Sequence, residues 1–454
     1  MQYGKLPPVM KIQISDHFTF KKLIRFVLPS IAMMIATSMY GNVDGFFVTN
    51  WVGETPFAAI NLSWPLIMIF GGIGFVFGTG GSAVVATALG ENEADRANQN
   101  FSLILYFGIA LGILLGAIGF IFAPQFGVLL GADGELLKCS IKYMRILFCF
   151  TPAFILQNMF QSLCSTASKP KLGLDATIIA GVGNIVLDAI FIVGLKWGLV
   201  GAAIGTAMSQ FFGGIVPLIF FARENDTYFK LCIPKFHRKV ITKTCTNGVS
   251  EFVNNLTLSI VIILYNLKLM EIAGQNGVNA FGIIQYINFS FISVFIGIVM
   301  GSAPIISFNN GANDYAELQN VLKKEVTLLL SSGVILFGLA ELLSKPFVYV
   351  FIQENKELFD MSVHGLRIFC IAFLLMGFNM LGSSLFTALE NGGISAVIAF
   401  IRSFIFPIAA LYTIPTLLGN TLDSVWICQI IIEAFSFVMV LSFILGFRKR
   451  YKYL

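Results

Sequence analysis

Two aspartates stand inside long apolar runs of this 454-residue sequence, Asp44 in the run 23–50 and Asp188 in the run 172–195. Asn184 precedes Asp188 by one helical turn, so on a helix the two side chains share a face. Thr206 follows in the next apolar run, 199–222. If these runs cross a membrane alternately, Asp44, Asp188 and Thr206 each lie about seven residues from an outer helix end, roughly 10 Å below the outer boundary at a rise of about 1.5 Å per residue. Two carboxylates, an amide and a hydroxyl at one depth are hard oxygen ligands, suited to holding a proton or Na⁺. Ionisable side chains within membrane spans are costly and usually face a cavity or a partner. The same residues would also serve as a buried hydrogen-bonding network that ties helices together without binding an ion.

A second set consists of Glu251, Arg402 and Glu433, in the apolar runs 246–272, 393–418 and 424–447. Arg402 is expected to pair with Glu251 or Glu433, although its depth differs from theirs by about 6–8 Å. Glu251 follows Asn247 and Gly248 near the expected helix start, where an acidic residue also favours the helix dipole. Covalent chemistry finds no support. No HExxH, GxSxG, Walker A or Rossmann pattern occurs in a suitable context. His17, His237 and His364 fall in a tail, a linker and an outer helix end, and the seven cysteines show no CxxC spacing. We therefore expect no enzyme, no cofactor and no metal site beyond one for Na⁺.

The elements that must position these groups are membrane helices. The chain is 57% hydrophobic and 12% charged, against roughly 25% charged in soluble domains. A span needs roughly 20 apolar residues. Beyond the runs already named, others lie near 56–89, 101–124, 141–166, 278–308, 322–352 and 361–389, which makes twelve spans in all. With the N-terminus inside, twenty of the 29 Lys and Arg residues fall on inner segments, among them Lys21, Lys22, Arg25 and the 448–452 cluster. Both termini are then cytoplasmic, and the protein is a multi-pass resident of the plasma or inner membrane. The N-terminal segment has no apolar signal core, and no basic run is large enough to hold nucleic acid.

The sequence also repeats. A single shift that lays Gly53 on Gly274 also lays Ala59, Gly80 and Gly90 on Ala280, Gly301 and Gly311. Lengthened by a single position, the shift lays Arg145 on Arg367 and Ser162 on Ser384. The repeat implies a lobe at 1–222, a polar, basic linker at 223–245 and a second lobe at 246–454, a known plan for transporters with a pathway between halves. Asp44, Asn184 and Asp188 fall opposite Tyr265, Phe406 and Ala410, so the first carboxylate cluster belongs to one lobe only.

Four segments resemble the multidrug and toxic compound extrusion (MATE) family. GNVDGFFVTNWVGETPFAAINLSWP (41–65) is similar to its first-helix segment, and IIAGVGNIVLDAIFIVGLKWGLVGAAIGTAMSQ (178–210) to its fifth and sixth helices. GVSEFVNNL (248–256) and GSAPIISFNNGAND (301–314) resemble the start of helix 7 and the exit of helix 8. The resemblance implies an all-α integral membrane protein of twelve helices in two pseudo-symmetric six-helix bundles, V-shaped. It further implies a monomeric exporter of organic cations or amphipathic drugs, of the kind that confers antibiotic resistance, in antiport with H⁺ or Na⁺ by alternating access. Carried over by motif, Asp44, Asn184, Asp188 and Thr206 form the cation site of the first lobe and Glu251 a second acidic site. Two departures stand out. Ala189 follows the helix 5 aspartate where members often carry proline, and STASKPK (165–171) replaces an Arg-x-x-Gly-x-Pro form. The nearest alternative is a flippase for lipid-linked precursors of the same superfamily, which would favour a large basic cavity.

Overall fold

The computed structural model describes residues 12–352 and 355–453; the side chains of 40–46, 49, 50, 54 and 259 lie outside the description. Asp44 is therefore placed by its backbone alone, within the helix α1 (Phe20–Trp51). The described residues form helices and connecting turns, with no strand among them. After α1 come α2 (Glu54–Gly90), α3 (Ala94–Leu129), α4 (Gly134–Cys149), α5 (Thr151–Thr166), α6 (Pro170–Asp188) and α7 (Gly198–Ala222). The second half holds α8 (Arg238–Ala312), α9 (Tyr315–Leu342), the short α10 (Ser344–Tyr349), α11 (Lys356–Phe369), α12 (Phe373–Ala388), α13 (Gly392–Phe400), α14 (Phe406–Leu417) and α15 (Leu422–Tyr451).

Among the described residues, ten continuous helical stretches are long and apolar enough to cross a membrane, and the bent pair α4–α5 adds an eleventh. The twelfth lies within α8. Its 75 residues would extend over about 110 Å, several times a bilayer core of about 30 Å. Gly274 breaks it, with φ 59° and ψ −153°. Gly53, one repeat earlier, turns the chain between α1 and α2 with φ 112°. Positive φ at both is the reason glycine stands there. The segments 238–273 and 275–312 are thus two spans, equivalent to α1 and α2.

Other breaks repeat as well. The 59° bend between α4 and α5 falls at Phe150. At the equivalent place in the second half, a 3-10 turn at Cys370–Ala372 separates α11 from α12. Residues 238–245, expected in the linker, are already the first turns of α8. Glu251 consequently sits well inside its helix, beyond the reach of a capping or helix-dipole role, which fades within the first turn.

The two bundles meet through helices packed backbone to backbone. A Cβ at Gly90 would lie 2.0 Å from the carbonyl oxygen of Phe308, and one at Gly311 would lie 2.2 Å from that of Thr87. These contacts are reciprocal, since the shift that carries Gly90 onto Gly311 also carries Thr87 onto Phe308. A second pair follows the same rule: Gly80 meets Gly248, and Gly301 meets Val27. The reciprocity is that of a two-fold interface, and it makes the halves pseudo-symmetric six-helix bundles. Close approach through small residues is the main means of helix association where lipid removes the hydrophobic drive. A Cβ at Gly248 would sit 2.1 Å from the Val76 carbonyl oxygen. Gly248→Ala should accordingly destabilise the detergent-solubilised protein by about 1–3 kcal/mol, read as a lower melting temperature; an unchanged melting curve would contradict this packing.

All these contacts cluster toward one end of the molecule, where the turns 91–93 and 313–314 lie. A strap from the N-terminal segment closes the same end. The Ile14 amide donates to Ser168 Oγ of the first bundle at 3.1 Å. His17 Nδ1 lies 2.5 Å from Glu317 Oε2 of the second, and the Phe18 amide donates to Glu317 Oε1 at 2.8 Å. Lys324 Nζ donates to the Phe18 carbonyl oxygen at 2.8 Å. Glu317→Ala removes two of these anchors. We expect it to raise the reactivity of cysteines introduced at the closed end toward a maleimide, and equal reactivity would show that the strap does not hold that end.

Candidate functional site

The first-lobe site is built where α6 ends. Asp188 is its last residue, fully buried, and a π-helical segment, Ala189–Gly194, follows directly. The turn at Ala189 is thus a π-helical widening, where a proline would have introduced a kink. Such segments recur at functional positions because the wider turn redirects side chains. Asn184 (2% exposed) and Thr206 (7% exposed) are buried beside it on α6 and α7. The Asn184 Oδ1 has no hydrogen-bond partner among the described residues. Gly205 makes room for the carboxylate, because a Cβ there would lie 2.3 Å from Asp188 Oδ1. Gly205→Val should therefore displace Asp188 and impair any function of this cluster as strongly as a change at Asp188 itself. Wild-type transport in that variant would dissociate the two.

The second-lobe residues converge more visibly. Glu251, Arg402 and Glu433 all line one cavity of about 520 Å³. The remaining wall mixes aromatic and thioether side chains, among them Tyr265, Phe281 and Met380, with hydroxyls and amides, and helices of the first half contribute to it through Met34, Thr37 and Phe75. Tyr265 and Phe281 stack with centroids 5.1 Å apart. Asn184, Asp188 and Thr206 do not line it. Tyr265 is the repeat equivalent of Asp44, so the cavity reaches, in the second bundle, the position that Asp44 occupies along α1 of the first.

Arg402 pairs directly with neither glutamate, contrary to the expectation from sequence. It lies in a second π-helical segment, Ile401–Ile405, and its Nη1 is buried without a partner among the described residues. Glu433 is held by amides: Asn379 Nδ2 donates to Oε2 at 2.6 Å and Gln429 Nε2 to Oε1 at 3.1 Å. Asn255 Nδ2 donates to the Glu251 backbone carbonyl at 2.8 Å, and Glu251 is part of the cavity lining. Ser403 Oγ donates to Asn254 Oδ1 at 2.7 Å and joins the π-helical segment to α8.

Sequence reasoning misses Asn379 and Gln429. Gln429 precedes Glu433 by one turn, the same spacing as Asn184 and Asp188, and that signal is present in the sequence. It also misses Glu325 on α9, 1% exposed. Ser302 Oγ donates to its Oε1, and Oε2 has no partner among the described residues. The two lysines before it, Lys323 and Lys324, disguise the position as a solvated helix start. Among the described residues no cluster of His, Cys, Asp and Glu could hold a metal ion.

Comparison with known proteins agrees with this geometry. The chain is 25% identical over 407 residues to the multidrug export protein MepA of Staphylococcus aureus (strain MSSA476), with 88% of both chains covered. It is 24% identical over 408 residues to the MepA of Staphylococcus haemolyticus, again with 88% of both covered. Its fold matches a crystal structure of MATE in the straight conformation, with TM-score 0.90, 20% identity, and 98% of this chain and all of that one covered. It also matches a MOP superfamily transporter from Pyrococcus furiosus, with TM-score 0.88, 20% identity, and 98% and 99% covered. The MatE family model matches twice, at 29–190 and 252–413. The second match follows the first at nearly the spacing seen in the glycines and in the reciprocal contacts. Since the two span well over half the sequence, the chain belongs to the MatE family and is a multi-pass membrane transporter, not an enzyme.

Proposed function

We propose that the protein is a secondary active multidrug exporter that moves organic cations or amphipathic compounds out of the cell in exchange for H⁺ or Na⁺. The observation that carries this reading is the division of labour between lobes. A ligand-sized cavity with an acidic pole lies mainly among helices of the second bundle and reaches α1, α2 and α5 of the first through Met34, Phe75 and Ser162, and a buried carboxylate with amide and hydroxyl neighbours lies in the first bundle apart from that cavity. The names of the staphylococcal relatives, multidrug export proteins, point the same way. A cavity of this volume suits a small molecule, and carboxylates in low dielectric favour a cationic one.

In this mechanism the lobes, residues 1–222 and 246–454 joined through 223–245, whose last residues are the first turns of α8, rock so that the contacts between α2 and α8 close and open. Asp44, Asn184, Asp188 and Thr206 take up the coupling ion. Charge repulsion between the two aspartates, relieved when the ion enters, makes the ion's affinity depend on conformation, which is what coupling requires. The protein acts as a monomer in the plasma membrane with both termini cytoplasmic. The flippase alternative gains little support, since the cavity sets one arginine against two glutamates.

The test is export of a cationic dye from everted vesicles or proteoliposomes under pH and Na⁺ gradients imposed one at a time. Dye movement driven by one gradient and stopped by its dissipation is expected. Dye movement indifferent to both gradients would refute antiport.

A further inference from the structure

Glu325 is a buried acid with no task in the export mechanism. It lies on α9, 1% exposed, and neither it nor Ser302 lines the cavity. Its Oε1 is hydrogen-bonded to Ser302 Oγ, while Oε2 has no partner among the described residues. The same Ser302 hydroxyl lies 2.8 Å from the Ile298 carbonyl oxygen, one turn back on α8. A hydroxyl carries one proton, so it cannot donate to Glu325 and to Ile298 at once. With Glu325 ionised, one of the two contacts is lost. With Glu325 neutral both hold, since the acid donates to Ser302 Oγ and Ser302 donates to Ile298. The elements around α9 bring no counter-charge for a carboxylate. Residues 275–312 of α8 and all of α12 contain no Asp, Glu, Lys, Arg or His. On α1, Lys21 and Arg25 are exposed and Lys22 pairs with Asp16. On α9 itself Lys323 is exposed, Lys324 donates to the Phe18 carbonyl and to Asn320, and Glu317 is taken by the strap. The ionisable groups of α10, α11 and the 3-10 turn lie toward the other end of α9, where Arg367 pairs with Glu341.

Ser302 adjoins the surface where the bundles meet. A Cβ at Gly301, the residue before it, would lie 3.2 Å from Ser30 Oγ and from Val27 Cβ of α1. The helix α9 also carries anchors of the strap, Glu317, Asn320 and Lys324. The acid thus stands just behind the closed contact, on the helix that the strap holds. We propose that Glu325 is a proton-binding site in its own right, filled while this end is closed and emptied when the bundles part and water reaches Ser302. In the closed state the proton completes the chain from Glu325 through Ser302 to Ile298. An ionised Glu325 needs hydration, which only the open end supplies. Because the closed form binds one proton more, acid favours closure and rising pH favours opening. This inference rests on the alternating opening of the export reading, and adds to it a titratable site outside both the first-lobe cluster and the cavity.

The test uses the purified full chain without its native cysteines, spin-labelled at two exposed positions beside the closed end, Asp95→Cys and Ala316→Cys. Distances between the labels are recorded by electron–electron resonance across a range of pH. The open-to-closed ratio should rise about tenfold or more from about pH 6 to about pH 8, since one linked proton shifts it by at most about tenfold per pH unit. Glu325→Gln keeps the size and a donor to Ser302 but cannot ionise. It should stay closed, with a ratio that changes by less than about twofold over the same range. A ratio indifferent to pH in the chain with native Glu325 overturns the proposal. So does an undiminished pH response in Glu325→Gln, which would assign the response to other groups such as His17. If Glu325→Gln does not fold, infrared spectra of the wild type and of Ser302→Ala decide. A C=O band of a protonated carboxyl that shifts in Ser302→Ala is expected. No such band, or one indifferent to Ser302, overturns the proposal. The export reading fails separately, if wild-type vesicles move no dye under either gradient.

Discussion

Asp188→Asn should reduce gradient-driven export to background while the protein still inserts and folds. The residue is fully buried at the junction of α6 with the π-helical segment, and Gly205 leaves room for its carboxylate and little more. Asparagine has nearly the same volume, so the packing against Gly205 survives. What is lost is the negative charge, and with it the group that can bind Na⁺ or exchange a proton. A loss of at least tenfold in initial rate is expected, since coupling depends on differential ion affinity between two conformations. Asp44→Asn should act in the same direction. The decisive comparison pairs vesicle export with a melting curve in detergent. Normal gradient-driven export by a well-folded Asp188→Asn protein would remove the first-lobe site from the mechanism. Loss of both export and folding would instead mark the cluster as a helix-binding network.

Much of the architecture is legible in the sequence because it follows from repeated small residues and apolar run length. Gly53 and Gly274 predict equivalent turns, and both adopt positive φ. Gly90 and Gly311 predict equivalent positions, and they form a reciprocal contact. The failures have physical causes too. Apolar run length places the start of α8 too late because 238–245 is polar; it detects the membrane-embedded part of a helix, not the turns that protrude into water. That error makes Glu251 look like a capping residue. Linear depth alone gives Arg402 an ionic partner, and depth along a regular helix says nothing about the rotation that a π-helical segment introduces. Glu325 is hidden by its lysine neighbours, although it lies on the buried face of its helix with Leu318, Val321, Leu322 and Leu329. Charges beside a residue in sequence do not report the face it occupies.

The contact between Gly90 and Gly311 also sets the second large effect. Phe308 and Thr87 carbonyl oxygens lie 2.0 and 2.2 Å from the two Cβ positions, so neither glycine can carry a side chain unless the helices part. Thr87 Oγ1 donates to the Ser307 carbonyl oxygen at 3.3 Å across the same interface. Under alternating access, this end must close in one half of the cycle and open in the other. Leucine at both positions would act as a wedge against closure while leaving each bundle's own core intact. Gly90→Leu with Gly311→Leu should therefore cut export at least tenfold, because the cycle loses one of its two states. In a background lacking the native cysteines, Ser307→Cys in the wedged protein should react faster with a maleimide than in the unwedged one. A wedged protein that exports normally, with Ser307→Cys still protected, would mean that these helices separate without consequence and that the closed end is not a gate. If labelling rises and export persists, the gate is elsewhere along the interface, and the pair formed by Gly80 and Gly248 becomes the position to wedge.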